Sequence, residues 1–234
     1  MGIRSYIKQP TESTVWYGSN VNRGLINEPG LVLRLDAADS RSYPGSGTTW
    51  YDLSPNGNNA TLLNSVSFDG DSFDFDGSND YATIGTSGFP FGSSPGTLSV
   101  WARTYSTTAT WKTIVSYGNP ANGQTRFLGI NGTTYYFGAG NSDITASGVV
   151  QNAWFNMVGV YDGTNASMYI NGTLVSGPTA RSWNTVANNA QLGRQTDGAR
   201  YWDGNIAIVS IYDRVVSSSQ IQERFNLLRG RYGI

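Results

Sequence analysis

The chain has 234 residues, with 15 Lys and Arg against 16 Asp and Glu for a formal charge of −1, and this balance removes the electrostatic case for nucleic acid as a partner. It contains neither His nor Cys, which excludes a Ser-His-Asp or Cys-His nucleophile pair, zinc or haem held by those side chains, disulfides and redox chemistry at sulfur. Hydrophobic residues are only 38 % but aromatics reach 13 %, so a core must be built from rings, and 29 Gly beside abundant Ser, Thr and Asn point to many short strands joined by turns.

Residues 1–30 keep neither a helical nor a strand period over a useful length and end in the turn signal Asn27-Glu28-Pro29-Gly30. They are expected to form an extended N-terminal arm for assembly or docking, with one short strand around Thr14–Tyr17. The start, MGIRSYIKQP, lacks the apolar core of a secretory signal, and no run approaches the ~20 apolar residues of a membrane span. A product made in the cytoplasm, with no membrane partner, is the expectation.

From Leu31 onward, through residues 31–234, the pattern becomes that of one all-β domain. Leu31–Leu35 is an apolar strand, and Ser72–Phe75, Tyr81–Ile84 and Leu98–Arg103 alternate apolar with polar. Further strands are expected at Thr113–Tyr117, Phe127–Ile130, Tyr135–Ala139, Ile144–Val149, Trp154–Tyr161, Ser167–Ile170, Thr173–Val175 and Asn205–Tyr212. Asn171-Gly172 between two of these is a two-residue hairpin signal. The single helix expected is Ser217–Leu228, opened by a capping box of Ser217 and Gln220 and carrying Ile221, Phe225 and Leu228 on one face. The fold class is therefore a two-sheet antiparallel β-sandwich with one short C-terminal helix.

Five segments, in order, carry a resemblance. They are GLVLRLDAADSRSYPGSGTTWYDLSPNGNNATLLN, FDFDGSNDYATI, GTLSVWAR, AWFNMVGVYDGTNASMYINGTLV and YWDGNIAIVSIYDRVVSSSQIQERFNLLRGRYG. Together they cover about Leu31 to Tyr232, and the chain resembles the laminin-G-like, concanavalin A-like jelly-roll domains found in bacterial surface proteins and tailed-phage virion proteins. The resemblance, closest to phage structural proteins at the C-terminus, implies a non-enzymatic virion part: a capsid decoration or a tail or fibre component, homo-oligomeric and exposed on the particle. Its arm would contact other virion proteins. The alternative is a carbohydrate-binding module for host surface glycans.

Two sets of site residues follow from the residue types. Asp69, Asp71, Asp74, Asp76 and Asp80 offer carboxylates that calcium could use, with Asp76 and Asp80 as the favoured ligands; Asp74 and Asp76 equally suit the solvated face of a strand that buries Phe73 and Phe75. Sugars stack on rings while amide, carboxylate and guanidinium groups take their hydroxyls. Trp183 with Asn184, Asn188 and Arg194, and Trp202 with Arg200 and Asp203, are accordingly read as loop platforms for a saccharide, the competing reading being subunit contact. Trp16, Trp111, Tyr135 and Tyr136 also lie in or beside loops. Trp101 and Trp154 are expected in the core and Trp50 at one end of the sandwich. Only three Glu are present, Glu12, Glu28 and Glu223, so the Glu-x-Asp-x-Glu strand of glucanases on this fold cannot be formed, and no catalytic residue is assigned.

Overall fold

A computed structural model describes residues 25–234. Its strands in chain order are β1 (Leu31–Asp36), β2 (Thr49–Trp50), β3 (Ala60–Leu63), β4 (Ser67–Phe68), β5 (Phe73–Asp76), β6 (Tyr81–Ile84), β7 (Gly96–Thr104) and β8 (Trp111–Gly118). There follow β9 (Thr125–Asn131), β10 (Thr134–Gly138), β11 (Ile144–Ser147), β12 (Trp154–Tyr161), β13 (Asn165–Ile170), β14 (Thr173–Ala180), β15 (Ala190–Leu192) and β16 (Asp203–Tyr212). Helix α1 (Ser218–Leu228) and a 3-10 turn at Arg229–Tyr232 close the chain.

The strands form two eight-stranded antiparallel sheets. One runs β14-β13-β12-β7-β16-β5-β4, with β1 sharing an edge of β16 with β5. The other runs β11-β10-β9-β8-β15-β6-β3-β2. Residue alternation explains the layering: Phe73 and Phe75 of β5 are fully buried while Asp74 and Asp76 turn outward. Between the sheets lies a continuous core rich in rings, including Trp50, Phe73, Tyr117, Phe137, Phe155, Trp183 and Trp202. The Trp50 and Phe73 centroids are 4.6 Å apart, and Phe137 meets Trp183 edge-on at 4.9 Å.

Two local signals act as the sequence predicts. Asn171 (φ 51°) and Gly172 (φ 78°) are both left-handed and join the paired residues Ile170 and Thr173, the geometry that such a turn requires. Ser217 Oγ accepts the Gln220 backbone N–H, and Gln220 Oε1 accepts that of Ser217, which closes the capping box.

Helix α1 covers the outer face of the first sheet and makes a second core there. Trp101 lies against Phe225 (5.7 Å, 7° between planes) and Tyr232 (4.3 Å, 20°), so its burial is under the helix and not between the sheets. Trp154, expected in the interior, is half-buried at the margin of this cluster. Residues 25–30, which the sequence assigns to the arm, pack here too. Leu25 joins the cluster, the Glu28 carboxylate takes Nε and Nη2 of Arg224, and the Pro29 carbonyl accepts Arg214 Nε at 2.6 Å. The rest of the arm, with the strand expected at Thr14–Tyr17, lies outside the described residues. Among the described residues, no helix is long and apolar enough to cross a membrane.

Candidate functional site

The structure corrects the two tryptophan platforms. Trp183 is 1 % exposed, packed on Phe137 and Tyr161, and its Nε1 donates to the Ser142 carbonyl and hydroxyl. Trp202 is 0 % exposed and donates Nε1 to the Asn205 carbonyl at 3.3 Å. Neither ring offers a face to a ligand. The cause is the path of residues 193–202, which fold back along β8: Gly193 N–H bonds the Ile114 carbonyl, Thr113 N–H bonds that of Arg200, and Trp202 N–H bonds that of Gly193. This path drops Trp202 into the core and leaves Arg194, Arg200 and Tyr201 partly exposed on the outside. Asn184 and Asn188 are exposed, and Asn184 borders a different, open groove with Arg181 and Ser93. Asp203 is separated from Arg200 in role: its carboxylate lies 3.8 Å from the buried Lys112 ammonium.

The calcium expectation fares no better. Asp76 Oδ1 accepts the backbone N–H groups of Ser78, Asn79 and Asp80. Partial burial works to raise its pKa, but these bonds outweigh it and hold the carboxyl below the usual range. Asp80 is buried, its Oδ2 takes the Asp76 N–H and its Oδ1 has no partner. Burial, then the Asp76 charge, push its pKa up. One carboxylate is thus used by the turn and the other is buried, short of the six to eight oxygens calcium takes. Among the described residues, no group of three or more His, Cys, Asp or Glu is arranged to hold a metal ion.

What the fold does assemble lies on the outer face of the second sheet, where no helix packs. A cleft of about 150 Å³ there is lined by Trp111, Asn122, Asn141, Asp143, Gln195, Asp197 and Arg200, with Pro120, Ala121 and Gly140. Trp111 opens β8 and packs against Tyr136 of β10 at 4.3 Å; the Arg200 guanidinium stands 5.1 Å from the indole centroid and donates Nη1 to Gln195 Oε1 at 2.5 Å. Asn141 Nδ2 donates to Asn122 Oδ1 at 3.0 Å. Asp143 Oδ1 accepts the Ala139 N–H at 3.0 Å, seated where any Cβ at Gly138 would collide with it. Burial raises the Asp143 pKa, opposed by the Ala139 N–H, Arg200, Arg181 and the Gly140 N–H.

Two of the six left-handed non-glycine residues among those described lie here. Arg200 (φ 60°) and Asn141 (φ 55°) are left-handed, and Arg200 is the one long side chain among the described residues to be so. An L-residue there costs roughly 1–2 kcal/mol that glycine would avoid. Its guanidinium is held on Trp111 nonetheless.

Beside the cleft, Arg194 forms a second platform. Its guanidinium is 3.3 Å from the Tyr81 centroid, donates Nε to Gln191 Oε1 at 2.9 Å and Nη1 to Tyr201 Oη at 3.2 Å. A row of Thr61, Thr83, Gln191 and Ser116 crosses β3, β6, β15 and β8 in register, the two threonines exposed and Gln191 and Ser116 buried and bonded to Arg194.

Of the residues named from sequence, Arg194, Arg200, Trp111 and Tyr136 stand on this face, while Tyr135 is buried in the core. Asn122, Asn141, Asp143 and Gln195 escaped notice because separate loops bring them together. One signal was present: in Tyr135-Tyr136-Phe137, burial of the outer two rings obliges Tyr136 to face away from the core.

The family model described as "Concanavalin A-like lectin/glucanases superfamily" (Laminin_G_3) matches residues 76–222. Among solved structures, the chain is similar to the Trypanosoma rangeli sialidase, with 15 % identity and a TM-score of 0.65 over 88 % of this chain and 34 % of that one. It is similar to the binding domain of Paraclostridial Mosquitocidal Protein 1, with 16 % identity and a TM-score of 0.64 over 84 % and 52 %. The binding domain of Botulinum Neurotoxin DC in complex with SialylT matches with 14 % identity and a TM-score of 0.62 over 85 % and 52 %. The chain thus spans a third to a half of the solved chains it matches, and at these identities the likeness is one of fold. No sequence among the curated proteins matches it.

Proposed function

The chain belongs to the concanavalin A-like lectin/glucanase superfamily, and from that premise we propose that it is a non-catalytic binding module whose cleft at Trp111 and Arg200 takes a saccharide. The observation that carries this reading is Arg200, kept in a strained backbone conformation and laid on an indole at the mouth of a polar cleft. Sugars present hydroxyls that both donate and accept, and weakly apolar C–H faces. The cleft supplies acceptors in Asp143 and Gln195, donors in Arg200 and the Asn122–Asn141 pair, and an aromatic wall. Two of the similar structures are binding domains, which agrees with this use of the fold.

Absence of catalysis rests on the carboxylates. Glycoside hydrolysis needs an acid and a base facing each other across the bond. Asp143 Oδ1 is tied to the Ala139 N–H and Asp197 Oδ1 to the Ala199 N–H. Glu28 and Glu223 belong to the helix side, Glu28 tied to Arg224. The test is a glycan panel read by calorimetry and tryptophan fluorescence. Arg200→Met and Trp111→Ala should abolish binding, and Asn184→Ala should leave it intact; binding untouched by the first two, or turnover of a bound glycan, overturns the reading.

A second reading, display of the module on a phage particle, draws on the resemblance to virion proteins and on where the chain enters. Leu25 joins the domain on the helix-covered face, opposite the cleft, so attachment through residues 1–24 would leave the cleft outward. Deleting residues 2–24 should leave a folded, ligand-binding domain that is not incorporated into particles; normal incorporation contradicts this.

A further inference from the structure

The open face carries two arginine platforms, not one, and the difference between them bears on the kind of saccharide. At the Arg200 cleft, Asp143 and Asp197 stand beside the guanidinium, so its charge is offset and the site suits uncharged hydroxyls. Arg194 is different. Its Nε and Nη1 go to uncharged partners, Gln191 and Tyr201, its plane lies on Tyr81, and it makes no salt bridge among the described residues. Arg224 and Arg231, by contrast, are matched by Glu28 and Asp36, and Arg103, held by Asn205 and the Trp154 ring, lies on the helix side. A partly exposed guanidinium, fixed by neutral acceptors and a ring, has a full charge to offer and little entropy to lose on meeting an anion.

The two platforms are anchored on one strand. The Arg200 carbonyl accepts the Thr113 N–H and the Arg194 carbonyl accepts the Ser116 hydroxyl. These backbone anchors are three residues apart, about 10 Å, and the guanidiniums lie on the rings of Tyr81 and Trp111 on the same face. We propose that this face binds an acidic oligosaccharide, a neutral sugar ring sitting in the Arg200 cleft and the carboxylate of a neighbouring uronate-type sugar pairing with Arg194. The proposal rests on the saccharide reading above and deepens it.

The probe is a set of uronate-containing tetrasaccharides, each paired with its carboxyl-reduced form, titrated into the full chain by calorimetry. Tetrasaccharides that bind should do so about tenfold more tightly than their reduced forms, the advantage of one charged hydrogen bond, and raised salt should erode that advantage. Arg194→Met, which keeps a long side chain over Tyr81, should bring the acidic form down to the affinity of the reduced one and leave the reduced one unchanged. Equal affinity for both forms, or equal loss of both in Arg194→Met, overturns the acidic assignment while the saccharide reading stands. If nothing in either form binds, the assignment and the reading beneath it fall together.

Discussion

On the helix side of the sandwich Trp101 lies between Phe225 and Tyr232 beneath α1, whereas on the open side Trp111 is half-buried between Tyr136 and the Arg200 guanidinium. Arginines mark the same contrast. Arg34, Arg224 and Arg231 on the first side meet Asp36, Glu28 and Asp36, with Arg103 there on Asn205 and the Trp154 ring, while Arg194 and Arg200 on the second rest on rings and amides. Both faces use the same residue types on the same kind of sheet. Where a helix excludes water, rings and paired charges stabilise the fold. Where none packs, the Arg194 and Arg200 guanidiniums are fixed on rings and stay partly exposed.

The contrast is sharpened most by truncating each tryptophan. Trp101→Ala should cost roughly 3–5 kcal/mol and lower Tm by roughly 10 °C, with glycan affinity of the folded fraction unchanged; Trp111→Ala should abolish that affinity at a much smaller loss of Tm. Calorimetric melts and titrations of both variants check this, and a reversed pattern would break the comparison. Next in size is the clasp at the chain entrance: Arg224→Met, which strands the Glu28 carboxylate, should cost about 1–3 kcal/mol in urea unfolding, while Arg194→Met, which takes the donor from the buried Gln191 oxygen, should cost about 1 kcal/mol.

Much of this division was legible in the residues, but unevenly. The Asn171-Gly172 hairpin and the Ser217–Gln220 capping box depend on backbone preferences a few residues long, and the alternation in Phe73–Asp76 fixes which side is inside. Trp183 and Trp202 gave no comparable cue. Each sits in a stretch without strand periodicity, and its burial follows from loops returning across the sandwich, a non-local event that local pattern does not encode. β15, only three residues long, escaped notice for the same reason. Leu25 to Gly30 lack a period because they dock on an existing surface and do not form a layer of their own. The cleft was least legible, since Asn122, Asn141, Asp143 and Gln195 are polar residues in loops, where polar residues are ordinary.

Smaller effects probe strain and charge. Arg200→Gly removes the left-handed penalty together with the stack on Trp111, so stability should not fall while binding is lost; a clear drop in Tm would show that Arg200 serves the fold. Asp80 provides the pH test. Its folded pKa is raised by burial, so the ionised form costs stability above that value, and the cost disappears as pH falls through it. Relative to Asp80→Asn, the unaltered chain should therefore gain stability on going from pH 7 toward pH 4, read as converging or crossing urea midpoints; a constant difference contradicts the assignment.

The most direct test of the account is amide and indole chemical-shift mapping of the full chain on titration with a bound oligosaccharide. The account predicts shifts at Trp111, Asn122, Asn141, Gln195 and Arg200, extending to Arg194 and Tyr201, with Trp101, Trp154 and α1 silent. Shifts gathered on the helix side, or around Asn184 in the separate groove, would contradict it.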